Sequence, residues 1–228
     1  MDSPEHTKQR LLEAAGRIFA DKGFRSATVQ EICKQAEANI AAVNYHFGAK
    51  ERLYIETVRH AGHFCTSEVP LPQWEPGTPA TMKLRDFIRT MLNRVAVDRT
   101  PEWPGKLIMR ELAQPTDACA EFVREFARPN FEMLLGILQD LLPTEVSPAK
   151  RQLIVFSIMG QILHYRFARP IITLLVGEEQ FRALDAERLT EHITGFTLAA
   201  LSGFGVQGSG FGVQESRGQE LMQAPVRK

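Results

Sequence analysis

The chain has 228 residues, 44% of them hydrophobic, enough to bury one substantial core or two small ones. Lys+Arg and Asp+Glu each total 27, so the formal net charge is zero; bulk charge gives no argument for nucleic-acid binding, and the chain lacks the excess of cations expected of an architectural DNA-organising protein. Cys33, Cys65 and Cys119 are few, odd in number and without CxxC spacing, no N-terminal stretch has the order of a signal peptide, and the most apolar window, Leu153 to Leu163, is too short to span a bilayer, so the expectation is a cytoplasmic protein with no membrane partner.

The first helix is predicted from about Pro4 to Lys22, with Leu11, Ala15, Ile18 and Phe19 as its inner stripe and Gly23 at its end. Thr28 followed by Glu31 is a capping box, and Val29, Ile32, Cys33 and Ala36 recur at helical spacing behind it. After a short break at Glu37-Ala38-Asn39, Asn39 can cap a second short helix that Gly48 stops. Two short helices joined by a three-residue turn make a helix-turn-helix, whose second helix enters the DNA major groove. A fourth helix is predicted from Lys50 to about Cys65, with Leu53, Tyr54, Thr57 and Val58 inward. The prolines between Pro70 and Pro79 mark a linker or long loop.

In the second half, Leu84, Phe87, Ile88, Met91, Leu92 and Val95 define a helix over Met82 to Val97. A short helix follows from Trp103 to Leu112, ended by Pro115. A long one spans Asp117 to Leu142, which Pro129 must kink or split. Ser147-Pro148 starts another, running to Arg169-Pro170, and the last covers Asp185 to about Ser202. No segment alternates as a strand would, so the fold class is all-α. The tail repeats Ser202-Gly-Phe-Gly-Val-Gln207 as Ser209-Gly-Phe-Gly-Val-Gln214, a duplication too short for a solenoid unit. The expected organisation is a helix-turn-helix domain over 1–50, a helical ligand-binding and dimerisation domain over 51–204, and a low-complexity, disordered tail over 205–228.

The run Tyr45-His46-Phe47-Gly48-Ala49-Lys50, with the helix Arg10 to Phe24 before it, resembles the N-terminal domain of the TetR family of bacterial transcriptional regulators. The detailed match covers about residues 5–60. Two positions depart from the family's usual pattern. Glu37 stands where Gly is frequent, so the turn must manage without easy positive φ, or Ala38 and Asn39 must absorb it. Ala49 stands where Ser or Thr is frequent, and the missing cap costs about 0.5–2 kcal/mol of helix stability. Leu107-Ile-Met-Arg110-Glu111-Leu112 with Pro115-Thr116, and the run from Gly160-Gln161 to Arg166, look like the C-terminal domain of the family's CecR-type branch. The resemblance implies a homodimer on a double-stranded DNA operator, a repressor released by an unidentified small-molecule effector, and no cofactor.

On this reading Tyr45 and His46 touch phosphate, Lys50 adds charge in the first turn of its helix, and Thr28 adds a hydroxyl that is already in use as a cap. Asn39, Ile40, Ala41 and Asn44 face outward and can meet base edges. An effector pocket is expected between the helix of Leu84 to Val95, the helix around Pro129 and the helix of Leu153 to Phe167. Its lining would come from Phe87, Met91, Met109, Phe126 and Phe131, with Arg110 and His164 as polar guides. Arg110 can equally be a structural ion-pair partner, and His164 a satisfied core residue. His60, His63 and Cys65 make a compact His-x-x-His-x-Cys that a metal sensor could use, although a closed zinc site takes four ligands. Apolar surface on the helices from Pro148 and from Asp185, at Phe156, Leu163, Phe196 and Leu201, calls for a partner, and Gly160, Gly195 and Ala199 would let one approach. No GxSxG, HExxH, phosphate loop or Cys-His context argues for an enzyme, so the chain reads as non-enzymatic with no catalytic residues.

Overall fold

The computed structural model describes residues 3–95 and 101–204, and the expected tail lies outside them. Among the described residues the structure is helical with no strand, and no helix is long and apolar enough to cross a membrane.

Helix α1 (Pro4–Ser26) begins where the Ser3 hydroxyl accepts the His6 N–H and Pro4 occupies the first turn. Gly23, at φ +78°, breaks its path, and the Ala27 N–H returns to the Gly23 carbonyl. Helix α2 (Val29–Gln35) carries the complete capping box: the Thr28 hydroxyl accepts the Glu31 N–H, and the Glu31 carboxylate accepts the Thr28 N–H. Helix α3 (Ile40–Phe47) is capped by Asn39 and stopped by Gly48 at φ +74°. Helix α4 (Lys50–Glu68) starts at Ala49 with no side-chain cap and runs a turn past Cys65.

These four helices share one core with α6 (Trp103–Ala113): Leu11, Phe19, Ile32, Val43, Leu53, Tyr54 and Val58 pack with Trp103 and Leu107. Fully burying each large side chain of this kind is worth about 1.5–3 kcal/mol. Gly16 is obligatory, because a Cβ there would fall 2.2 Å from the Trp103 ring. A second core joins α5 (Ala80–Val95), α8 (Arg128–Leu141), α9 (Pro148–Phe167) and α12 (Ala186–Ser202) through Leu84, Phe87, Ile88, Leu134, Leu138, Ile158, Ile162 and Ile193. Outside it, Arg85 and Arg89 on α5 bind Glu187 on α12, and Arg85 also reaches Glu191.

Three expectations need correction. The stretch from Asp117 to Leu142 is not one helix with a simple kink: α7 (Ala118–Phe122) passes through a π-helical turn, Val123–Ala127, into α8, with Pro129 in the first turn of α8. The helix from Pro148 ends at Phe167, and Arg169-Pro170 does not close it but opens α10 (Arg169–Val176), which Gly177 stops before α11 (Glu178–Arg182). Leu201 needs no partner, since it is buried in its own chain's second core, and Leu163 is half-buried in a cavity wall; Leu153, Phe156, Phe167 and Phe196 are the exposed large apolar side chains of α9 and α12.

Candidate nucleic-acid interface and interior cavity

The turn between α2 and α3 puts Glu37 itself in the left-handed region at φ +50°, while Asn39 stays extended at φ −102°. The turn neither avoids positive φ nor passes the strain to Ala38 and Asn39. The strain falls on Glu37 because Asn39 must keep extended geometry to cap α3, its Oδ1 accepting the Ala42 N–H at 2.8 Å. Ala38 bonds back to the Cys33 carbonyl at 2.9 Å, which holds the turn tight.

Val43 and Phe47 bury one side of α3 in the first core. The opposite side then carries Ile40, Ala41, Asn44 and Tyr45 into solvent, with Asn39 before them and His46 half-buried. Tyr45 is 78% exposed, far more than a phenol ring needs for its hydroxyl to reach water. Its ring stands edge-on to His46 at 4.9 Å. Lys50 is half-buried, its ammonium 4.7 Å over the Phe24 ring and 3.5 Å from the Arg25 carbonyl. Thr28 is exposed, but its hydroxyl also donates to Glu31 Oε2 at 3.1 Å. Glu31 is held below the usual carboxylate range first by Lys22 and then by Thr28. The solvent side of α3 thus offers a phenol, an imidazole and an amide, and α4 adds an ammonium in its first turn, the donor set that phosphates and base edges accept.

A cavity of about 290 Å³ lies behind α4. Met91, Met109, Phe126 and Phe131 line it as expected, with Phe122, Ile108, Leu112, Val155, Phe156, Met159 and Leu163. Its polar border is Thr66, Arg94, Glu102, Asn130 and Arg166. Arg94 is fixed at the rim, its Nε donating to the Val69 carbonyl at 2.7 Å and Nη1 to Asn130 at 3.0 Å.

Three expected lining residues lie elsewhere. Phe87 shares an α5 stripe with Met91 but is fully buried among the packed side chains of the second core and does not border the cavity. His164 is exposed on α9. Arg110 points away, towards α1, donating to the Ala20 and Asp21 carbonyls at 3.3 and 3.0 Å; a Cβ at Gly23 would meet its Nη1 at 2.8 Å. It holds the end of α1 through backbone carbonyls, a structural role but not the ion pair expected of it. The missed residues, Arg94, Asn130 and Arg166, gave only weak signals, as single polar positions on amphipathic helices.

His60, His63 and Cys65 do not converge. The His60 ring stacks on Trp103 at 6.0 Å and 18°, and burial lowers its pKa. His63 stands edge-on to Phe126, with Nε2 3.9 Å from Glu125. Cys65 borders the cavity. Among the described residues no group of three His, Cys, Asp or Glu could hold a metal ion.

A buried carboxylate ties α6 to α4. Glu111 is 0% exposed and accepts the Tyr54 hydroxyl at 2.7 Å, the Thr116 N–H at 2.7 Å and the Thr116 hydroxyl at 3.0 Å. Burial, then the Glu111 bond, push the Tyr54 pKa up.

Known proteins place the chain. The family described as "HTH-type transcriptional dual regulator CecR, C-terminal domain" matches residues 80–201. "Bacterial regulatory proteins, tetR family" matches residues 11–57. The "HTH-type transcriptional dual regulator CecR" of Shigella flexneri is 27% identical over 201 residues, 83% of this chain and 89% of that protein. The "HTH-type transcriptional repressor AcnR" of Corynebacterium efficiens is 36% identical over 58 residues, 25% of this chain and 31% of that one. A bacterial regulatory protein in the tetR family from Rhodococcus RHA1 has the same fold, with a TM-score of 0.63 at 15% identity, over 86% of this chain and 96% of that one.

Proposed function

Because this chain belongs to the TetR family of bacterial regulatory proteins and carries a CecR-type C-terminal domain, it is a DNA-binding transcriptional regulator, and we propose that it is a cytoplasmic, homodimeric repressor released from a palindromic operator by a small apolar or aromatic effector. The observation that carries the reading is the coexistence of a solvent-facing α3 and an apolar cavity in one chain, bordered by the helix α4 that starts beside α3. Tyr45, His46 and Lys50 hold phosphates, with Thr28 behind them, and Asn39, Ile40, Ala41 and Asn44 read bases. The DNA-binding domain is 1–50 and the effector and dimerisation domain 51–204. A two-fold seam forms where Leu153 and Phe156 of α9 and Phe196 of α12 are exposed, and where Gly160 and Gly195 would leave room for a partner helix. Met91, Met109, Phe126 and Phe131 hold the apolar body of the effector, and Arg94, Asn130 and Arg166 border it.

A regulator of this kind works by differential affinity: moving from nearly all bound to nearly all free takes about 5.5 kcal/mol, which two equal sites would share. The test is a thermal-shift screen of aromatic and amphipathic compounds against the full chain, followed by DNA binding to a duplex selected from a random pool. Compounds that raise Tm should weaken DNA binding, and Met159→Trp, which fills the cavity, should abolish both effects while DNA affinity persists. Stabilising compounds that leave DNA affinity unchanged would contradict the reading, as would a divalent metal being the agent that changes it.

A further inference from the structure

We propose that the π-helical turn Val123–Ala127 is the joint that passes occupancy of the cavity to α4 and so to the DNA-facing helix; the proposal rests on the effector reading of the cavity. Proline chemistry explains why the turn is there. Pro129 has no N–H for the Glu125 carbonyl four residues back, and its ring would crowd that carbonyl in an unbroken α-helix. The chain takes up one extra residue instead, and the Arg128 N–H reaches the Val123 carbonyl five residues back. One residue more or less rotates the side chains before the turn by about 100° relative to α8.

That rotation decides which groups face the cavity and which face α4. Phe122, Phe126 and Ala127 form part of the cavity wall. Phe126 also wedges against α4: a Cβ on Gly62 would fall 2.5 Å from its ring, and His63 stands 5.1 Å away, edge-on. Next to it, Glu125 receives the Arg59 fork, with Nε at 3.1 Å from both carboxylate oxygens and Nη2 at 3.0 Å. Arg59 is braced from its own helix by Glu56 at 3.1 Å. The pairing raises the Arg59 pKa and lowers that of Glu125. Five residues therefore hold a cavity wall on one side, and a steric key and a bidentate ion pair on α4 on the other. A guest that displaces Phe126, or that moves the extra residue out of this turn, draws Glu125 off Arg59 and vacates the notch at Gly62. α4 is then released midway along a helix whose first residue, Lys50, belongs to the DNA-facing surface.

The experiment is hydrogen exchange on the full-length protein, with 1-anilinonaphthalene-8-sulfonate as the cavity probe. In the wild type the probe should change exchange in residues 118–130 and, by about threefold or more, in residues 50–68. Arg59→Gln lies at a part-exposed pair and should leave the fold intact. It should bind the probe within about twofold of wild type and keep the response at 118–130 while losing that of α4. A wild-type-sized α4 response in Arg59→Gln overturns the proposal. Pro129→Ala tests the joint with no probe at all: it restores the missing donor, so exchange at 123–128 should fall and exchange across α4 should rise. Unchanged α4 exchange in Pro129→Ala overturns the joint. Probe binding that survives Met159→Trp would instead count against the cavity reading, and the two failures are thereby distinguishable.

Discussion

The head and the distal helices of this molecule solve the burial problem differently. In the head, α1 to α4 and α6 close on themselves: Phe19 is fully buried, edge-on to Tyr54 at 4.9 Å, and Trp103 fills the space left by Gly16. In the distal half the second core leaves apolar side chains in solvent, Phe196 at 59% exposure and Leu174 on α10 at 87%, and α5, α8 and α9 face α4 and α6 of the head across the cavity. The same residue types thus have different duties. The head is packed to hold one shape for contact with DNA, and the distal helices leave surface and volume for other molecules.

The largest effect should come from comparing two phenylalanines. Phe19→Ala should cost about 3–5 kcal/mol of unfolding free energy, measured by urea denaturation. Phe196→Ala should stay within about 0.5 kcal/mol for the isolated subunit and act instead on self-association, lowering the mass seen by light scattering at micromolar concentration. A severe fold defect in the second, or none in the first, would break the comparison.

Next is the carboxylate that ties α6 to α4 within the head. Glu111→Gln keeps the shape but removes the charge that accepts from Tyr54 and Thr116, and should cost about 1–3 kcal/mol. Tyr54 sets a further sign. Its folded pKa lies above its unfolded value, so the stability it contributes is complete below about pH 10 and is lost as pH rises beyond it. A flat stability profile from pH 9 to 11 would contradict this placement.

The smallest expected effect concerns His60, whose burial beside Trp103 favours the neutral ring. A histidine lowered in the folded state binds its proton first in the unfolded chain, so stability should fall as pH drops below about 6.5. Glu13 opposes this shift and His63 reinforces it. His60→Gln should flatten the slope between pH 7 and 5.5 in thermal melts; a slope unaffected by the substitution would assign it to another group.

The head was legible because its signals act over three or four residues. The Thr28–Glu31 box, the Asn39 cap and the Gly48 stop are local hydrogen-bond chemistry, and all three stand in the structure. The cavity was legible only in part. Helical periodicity says which side of α5 is inward, but not whether that side meets packed atoms or a void, so Phe87 and Met91 looked alike and only Met91 borders the cavity. Arg110 shows the same limit, since its direction depends on α1, 90 residues away in sequence from one of its two acceptors. α10 was missed for another reason. Pro170 and Gly177 are a start and a stop signal, and the first was read as the end of the preceding helix.

The central claim is that α3 divides its work between holding DNA and reading it. The direct measurement is the affinity of the full chain for its selected duplex and for a scrambled one, in three forms. The double variant Tyr45→Phe with His46→Ala should lose affinity for both duplexes alike, because the groups it removes are the ones proposed to hold phosphate. Asn44→Ala should lose about 1–3 kcal/mol on the selected duplex and leave the scrambled one unchanged. Equal affinities for the selected duplex in wild type and both variants would contradict the account.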